Sequence, residues 1–187
     1  MIKMKFRVIL LSNIVAIILA TMFFSCSNDM ELVKEISKKD SVPEVTIDSI
    51  RVLQSERGNI TLELKAPVMN SYNLKEKYTE FPQGVRIIFY DSLMKPKSEL
   101  TAKYGISYES RKIMEARGNV VVINYLKKAS LNTEHLTWNE NTKRVSTNEN
   151  VKISEPDRVI FGKGLESDEL FDNWVIRNVT GTMYVKE

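Results

Sequence analysis

Residues 57–66 read RGNITLELKA, and residues 117–125 read RGNVVVINY. Apolar and polar residues alternate strictly from Ile60 to Ala66, which is the pattern of a half-buried β-strand. Residues 120–123 are apolar and β-branched on both faces, which also favours a strand. Both runs follow the same three residues, and Gly and Asn are common where a chain turns. The two stretches therefore predict two strands, each of which is entered from a turn.

Further apolar runs with a period of two follow, and no segment after Pro43 shows a convincing helical period. These runs lie at residues 85–90, 100–104, 151–153, 159–161 and 174–177. Turn signals occur at residues 57–59, 82–84, 118–119, 139–141, 148–150 and 155–157. We therefore predict an all-β domain of antiparallel strands over residues 45–187.

A repeat of about 30 residues is visible in the second half of the chain. When two neighbouring units are aligned, Ile106 meets Leu136 and Tyr108 meets Trp138. A weaker third copy begins at Gly164. One unit cannot bury its apolar face alone, so such units stack. Stacked antiparallel strands form either a two-sheet sandwich or a folded-over β-jellyroll trough, and both leave unpaired strand edges at their ends.

The N-terminus has the pattern of a secretory signal. Residues 1–7 are basic, residues 8–24 are almost wholly apolar, and Cys26, the only cysteine, follows. This resembles a bacterial lipoprotein signal over residues 1–25, with lipidation at Cys26. An uncleaved transmembrane anchor helix is the main alternative, since 17 residues can just span a bilayer, and a buried core helix is the third. The polar residues 26–44 are interpreted as a tether.

Charge and composition exclude some classes of function. The chain has 187 residues, of which 43% are hydrophobic, and a formal net charge of +3. Residues 1–25 carry three bases and no acid, so the remainder has 24 bases and 24 acids. A nucleic-acid surface would need a basic excess on the folded part, so no nucleic acid is expected as a partner.

The sequence shows little catalytic chemistry. His135 is the only histidine, and with no second His or spare Cys a transition-metal site is not expected. The glycines between Phe161 and Leu165 are interpreted as a bulge or a close backbone approach. The acidic cluster at Glu166, Asp168 and Glu169 is interpreted as a solvated turn, although a hydrolase with paired carboxylates remains an alternative. We predict a binding or transport module, not an enzyme, with no cofactor and no metal.

Several short motifs in this order resemble one family. They are FPQGV at 81–85, FYD at 89–91, LTA at 100–102, GNVVV at 118–122, LNTEHL at 131–136 and GL at 164–165. Over residues 45–186 the chain resembles the LptC family of lipopolysaccharide export proteins, in the lipoprotein-type form seen in Bacteroidetes-like bacteria. The better-studied members carry a transmembrane anchor, so the resemblance leaves the mode of anchoring open.

The resemblance implies a β-jellyroll domain at the periplasmic face of the inner membrane. It implies that the domain binds the inner-membrane export ABC transporter, accepts lipopolysaccharide from it and passes the lipid to a periplasmic bridge protein of the LptA type. The ATP of the transporter supplies the work, so no cofactor is needed. The alternative is a periplasmic or surface β-sandwich lipoprotein that binds glycans or protein partners.

Strand alternation selects the candidate lipid groove, within which Phe89 and Trp138 are the strongest candidates because they are large and flat. The eleven predicted lining residues are Ile60, Leu62, Leu64, Ile87, Phe89, Leu100, Ala102, Val120, Val122, Leu136 and Trp138. The first strand, near residues 45–53, is expected to face the transporter.

The last strand, near residues 174–185, is expected to offer its edge to the bridge protein. The candidate edge residues are Trp174, Ile176, Met183 and Val185. Proline at Met183 or Val185 is predicted to weaken partner binding and leave the fold intact.

Overall fold

The computed structural model describes residues 42–73 and 75–185, and these residues form strands and loops without a helix. The strands are β1 (Val45–Glu56), β2 (Asn59–Asn73), β3 (Lys77–Phe81), β4 (Val85–Tyr90), β5 (Pro96–Ala102), β6 (Tyr104–Tyr108), β7 (Ile113–Asn124), β8 (Ala129–Asn139), β9 (Arg144–Ser154), β10 (Arg158–Asp168) and β11 (Trp174–Tyr184). They form one antiparallel sheet of 11 strands. The prediction of an all-β antiparallel domain is confirmed.

Two long strands divide this sheet into two walls. Residues 62–65 of β2 pair with β4, whereas residues 70–73 pair with β3. Residues 121–124 of β7 pair with β5, whereas residues 113–117 pair with β6. The first wall therefore contains β4 and β5, and the second wall contains β3 and β6. The remaining strands, β1 and β8 to β11, run through both walls.

The long strands bend where one wall passes into the other. In β7 the bend lies at Gly118 and Asn119, whose φ angles are +73° and +49°. The register skips between Arg117 and Val120, so two residues of β7 oppose one residue of β8. This is a β-bulge, which bends a strand. The turn predicted at residues 118–119 is therefore wrong, because residues suited to a left-handed backbone here continue a bent strand.

The turn predicted at residues 148–150 is wrong for the same reason. These residues lie inside β9, and the register between β9 and β10 shifts opposite them at Gly164, whose φ is +75°. This bulge, together with the close approach of Gly162 to Ile176 and Asn178, confirms that the glycines between Phe161 and Leu165 form a bulge and a close backbone approach. The turns predicted near residues 57–59, 82–84, 139–141 and 155–157 do separate strands.

The sequence repeat corresponds to three successive hairpins. They are β6–β7, β8–β9 and β10–β11, with loops at residues 109–112, 140–143 and 169–173. Each loop contains one residue with a positive φ, namely Lys112, Lys143 and Phe171. These three residues are separated by intervals of about 30 residues, so the repeat period in the sequence is the length of one hairpin.

The core lies between the two walls as one cluster of buried apolar side chains. A cross-strand row runs along the first wall, in which each member is paired with the next: Leu64, Ile87, Leu100, Val122, Leu131, Ile153 and Ile160. Adjacent strands are about 4.8 Å apart, so this row extends over roughly 30 Å. The second wall faces it with Met114, Ala116, Leu136 and Val145.

Several predictions made from the sequence concern residues that the structure does not describe. The signal or anchor at 1–25, the lipidation site Cys26 and the tether up to residue 41 lie outside the described residues. Residues 42–73 and 75–185 contain no helix that could span a bilayer.

Candidate functional site

The predicted lining residues all lie on strands, and most are in the interior. Seven of them are buried in the core cluster: Leu62, Ile87, Phe89, Leu100, Val120, Val122 and Leu136. Leu64, Ala102 and Trp138 are partly buried and pack against the cluster. Ile60 is also partly buried but does not belong to the cluster. The positions are therefore interior as alternation predicts, and their contact with lipid stays a prediction.

The interior is filled with side chains. The cavity between the walls has a volume of about 20 Å³, which is room for roughly one water molecule. Its lining comes from both walls and from one loop: Ile87, Phe89, Leu100, Met114, Ala116, Val122, Leu136, Trp138, Val145, Glu169 and Phe171. The two walls lie over each other, and the side chains between them leave no space for an acyl chain.

One loop closes the interior at its rim. Residues 169–173, which we call the closing loop, leave the second wall at the end of β10 and turn inward. Phe171 is only 1% exposed, and its side chain forms part of the cavity wall. Its φ of +57° is unusual for a bulky residue, and such a conformation persists only where the surroundings hold it.

Asn124, at the end of β7 in the first wall, holds this loop in place. Its Nδ2 group donates to the carbonyl oxygens of Leu170 and Phe171 at 3.2 and 3.1 Å, and to Asp172 Oδ1 at 3.0 Å. Its own Oδ1 accepts from the backbone N–H of Lys127 at 2.9 Å. Asn124 is completely buried. One amide therefore connects the closing loop to the opposite wall.

A cluster of charges strengthens the same connection. Lys97 Nζ lies 2.7 Å from Asp172 Oδ2, and Lys127 donates to the Asp172 carbonyl. Burial acts to raise the pKa of Asp172, but hydrogen bonds from Lys97 and Asn124 outweigh it and hold that pKa below its ordinary value. Asp172 is therefore ionised at neutral pH, which keeps the ion pair formed.

Phe89 and Trp138 lie between the small cavity and an outer pocket. The outer pocket has a volume of about 240 Å³ and shares both aromatic residues with the cavity lining. The Trp138 indole donates to Glu169 Oε2 at 3.2 Å, and Lys143 Nζ lies 3.5 Å from the same oxygen. The rim of the interior is thus apolar within and charged at its outer edge.

The second wall is polar near β1 and becomes apolar towards β11. Ser71, Thr79 and Ser107 form a polar cross-strand row next to β1, and they line a polar pocket of about 370 Å³. The row continues from Ser107 to the apolar Met114 and Trp138. The apolar part of the second wall therefore lies towards β11, over the long apolar row of the first wall.

Sequence patterns did not identify Phe171 or Asn124 as residues of the candidate site. A signal for Phe171 was present, because the equivalent loops of the first two hairpins have lysine where the third has phenylalanine. The third loop is also longer by one residue. Asn124 gave no such signal, since a polar residue at a strand end is ordinary.

The candidate carboxylates do not converge on a common point. Glu166 lies 3.1 Å from Arg177, whereas Asp168 accepts the backbone N–H groups of Asp172 and Asn173. Asp168 therefore shapes the closing loop. In the part of the chain that the structure describes, no group of His, Cys, Asp and Glu side chains could hold a metal.

The sheet ends in two strand edges. Among the described residues, β1 pairs only with β2 and β11 only with β10. Trp174 and Ile176 turn towards the core and are partly buried, whereas Met183 and Val185 are 56% and 53% exposed.

The hydrogen bonds between β10 and β11 show that the two proline positions predicted from the sequence are wrong. The N–H of Val185 donates to the Asp157 carbonyl at 2.9 Å. N–H groups alternate in direction along an antiparallel strand, so the N–H of Met183 also points to β10. The outward N–H groups belong to Thr182 and Tyr184. Proline at Met183 or Val185 would thus disturb the sheet itself, which contradicts the sequence-based expectation.

Comparison with known proteins agrees with this architecture. The sequence matches the family described as "Lipopolysaccharide-assembly, LptC-related" over residues 13–182. No curated protein sequence matches the chain significantly. The match covers most of the chain and includes the strands from β1 to β10 and all but the last two residues of β11. The chain therefore belongs to the LptC-related family of lipopolysaccharide assembly, a non-enzymatic family of the transport system that is associated with the periplasmic face of the inner membrane.

Proposed function

We propose that this domain is a lipopolysaccharide carrier. It accepts the lipid from the inner-membrane export ABC transporter, shelters the acyl chains between its two walls and passes them to a periplasmic bridge protein. The observation that supports this most directly is the apolar row of the first wall, which runs from Leu64 to Ile160 across seven strands.

The length of this row fits the physical task. An acyl chain in water costs about 0.8 kcal/mol for each exposed CH₂ group, and an apolar channel removes that cost. A row of roughly 30 Å can follow an acyl chain along the stacking direction of the strands. The saccharide stays in water outside the rim, where Lys143 and Glu169 are located.

The filled interior determines how loading must occur. Because the cavity is about 20 Å³, the walls separate before a chain enters. We infer that the closing loop is the movable part, because Phe171 occupies the interior and is attached to the opposite wall chiefly through Asn124 and Asp172. Departure of Phe171 leaves a ring-sized apolar space at the rim.

Photo-crosslinking in living cells tests the carrier function. A photoreactive residue at Phe89 or Trp138 should form adducts with lipopolysaccharide. Matched controls at Arg86 and Thr137, which lie on the same strands and outside the core cluster, should not. Adducts of equal yield at all four positions, or none at the two interior positions, would overturn the proposal and favour a module that binds glycans or proteins.

We further propose that residues 1–26 attach the domain to the membrane, either through a lipidated Cys26 or through an uncleaved apolar helix. The family match begins at residue 13, inside the apolar run, and so includes residues 13–26 of this segment. Metabolic labelling with an alkyne fatty acid separates the two modes. Label that is lost in Cys26→Ala indicates the lipid anchor, and an unlabelled but membrane-bound chain indicates the helix.

A further inference from the structure

Two neighbouring hairpin tips expose large apolar side chains to solvent. The β4–β5 loop carries Leu93 and Met94, which are 72% and 53% exposed, and the β7–β8 loop carries Leu126, which is 71% exposed. The other described tips of this rim are polar, with Arg57 and Gly58 between β1 and β2 and with residues 155–157 between β9 and β10.

The fold places these two tips side by side. Strands β5 and β7 are paired, and Ser98 and Asn124 form the pair that lies next to both loops. The backbone N–H of Tyr125, the first residue of the second loop, donates to the Lys97 carbonyl at 3.0 Å. The exposed leucines and methionine therefore belong to one surface at the rim of the first wall.

Both loops are held in fixed conformations. Asp91 Oδ1 accepts the backbone N–H groups of Leu93 and Lys95, each at 2.9 Å, and Asn124 Oδ1 accepts that of Lys127. The apolar side chains are presented by ordered turns, so binding through them requires little further ordering of the backbone.

The surface around the apolar tips is basic. Four lysines and only two carboxylates flank these tips. The lysines are Lys95, Lys97, Lys127 and Lys128, and the carboxylates are Asp91 and Asp172. Lys97 and Lys127 contact Asp172, whereas no ion pair within the described residues includes Lys95 or Lys128. Apolar side chains surrounded by lysines are the composition of a surface that lies at the interface of an anionic bilayer.

We propose that the tips at 91–95 and 125–128 form a membrane-docking surface. Leu93, Met94 and Leu126 enter the headgroup region of an anionic phospholipid bilayer, and the lysines contact lipid phosphates. Docking brings the rim of the first wall, and with it the closing loop attached through Lys97 and Asn124, against the membrane that supplies the lipid. The proposal concerns phospholipid and holds whether or not the interior carries lipopolysaccharide.

The test uses the full-length chain reconstituted through its own N-terminus into vesicles of phosphatidylethanolamine and phosphatidylglycerol, without lipopolysaccharide or transporter. A photoreactive residue is placed at Leu93 or Leu126, with Glu149, an exposed residue in the bulge of β9 and away from both rims, as the matched control. We expect phospholipid adducts at the first two positions and not at Glu149. The adduct yield should fall about fivefold or more in vesicles of phosphatidylcholine alone, or in the Lys95→Glu/Lys128→Glu double variant.

Two results would overturn the docking surface. One is an equal yield of phospholipid adducts at all three positions, since this would reflect tethering alone. The other is an absence of phospholipid adducts together with cross-links to a protein when the same variants are expressed in cells, since the tips would then be a protein interface. Neither result depends on the outcome at Phe89 and Trp138, so failure of docking and failure of the carrier function are distinguishable.

Discussion

The rings of Phe89 and Trp138 meet edge to face, with their centroids 5.6 Å apart and their planes at 86°. Phe89 belongs to β4 of the first wall, and Trp138 belongs to the part of β8 in the second wall. The contact therefore joins the two walls across the interior and is not a neighbour contact along one ladder. Aromatic pairs of this kind stabilise by about 0.5–1.5 kcal/mol beyond the area they bury. In the proposed carrier function, an acyl chain that enters from the outer pocket has to separate these two rings.

The first prediction concerns the closing loop. Phe171→Ala removes the ring that fills the rim and should lower the free energy of unfolding by about 3–5 kcal/mol. The same change should increase affinity for a fluorescent fatty-acid probe about tenfold, the gain from burying about two more CH₂ groups. Fluorescence titration of the full-length chain measures the affinity, and urea unfolding measures the stability.

Leu165→Ala is the matched control for that prediction. Leu165 is completely buried but does not line the cavity near Phe89 and Trp138. It should lose similar stability and gain no probe affinity. Equal gains in both variants would mean that general loosening admits the probe, and the closing loop would then have no special role.

The second prediction concerns pH. Glu63 is 3% exposed on β2 and accepts hydrogen bonds from Tyr90, Arg51 and Lys65, in that order of effect, which lower its pKa from 4.5 to about 2. Because the folded-state pKa is depressed, the stabilisation is complete above pH 4.5 and is lost as the pH falls towards 2.

Urea unfolding of wild type and of Glu63→Gln at several pH values between 6 and 3 measures this effect. The wild type should lose more stability on acidification than the variant, which lacks the titrating group. Glu149→Gln, on the exposed part of β9, should follow the wild type. Parallel curves for wild type and Glu63→Gln would show that Glu63 does not contribute to acid sensitivity.

The third prediction concerns a close approach of two backbones. A Cβ atom on Gly162 would lie 2.4 Å from Ile176 Cγ2 and 2.7 Å from the Asn178 carbonyl oxygen. Gly162→Ala should therefore destabilise the domain by about 1–3 kcal/mol. Gly181, on the facing strand, has no atom within 4 Å of such a Cβ, so Gly181→Ala should change stability by less than about 0.5 kcal/mol. Thermal unfolding of both variants measures the difference in stability, and equal melting temperatures would contradict the prediction.

Strand alternation was sufficient to predict the class of the fold and most of the interior positions. The strict pattern from Ile60 to Ala66 places Leu62 and Ala66 in the buried cluster, because side chains two residues apart share one face of a strand. The period of about 30 residues likewise corresponds to one hairpin. These features depend on neighbours in sequence, and a local pattern contains that information.

The errors arose where one local signal fits two structures. Gly118 and Asn119 suit a left-handed backbone, and only the pairing of β7 with β8 shows that the chain continues through a bulge. The role of Asn124 depends on Phe171, which is far away in sequence and adjacent in space. No periodicity connects these two residues, so the closing loop could be identified only from the structure.

The last prediction concerns the edge of β11, which we propose binds the bridge protein by strand addition. Tyr184→Pro removes an N–H that points away from β10, so it should abolish most of the partner binding and change stability by less than about 0.5 kcal/mol. Met183→Pro removes an N–H that points to β10 and should cost about 1 kcal/mol or more in stability. Co-purification of the bridge protein with the full-length chain and urea unfolding measure the two effects.

Tyr184→Ala, which keeps the N–H, is the control and should bind the bridge protein normally. If Tyr184→Pro also assembled normally, the bridge protein would not use this edge, and the exposed residues of β1 would become the remaining site for strand addition.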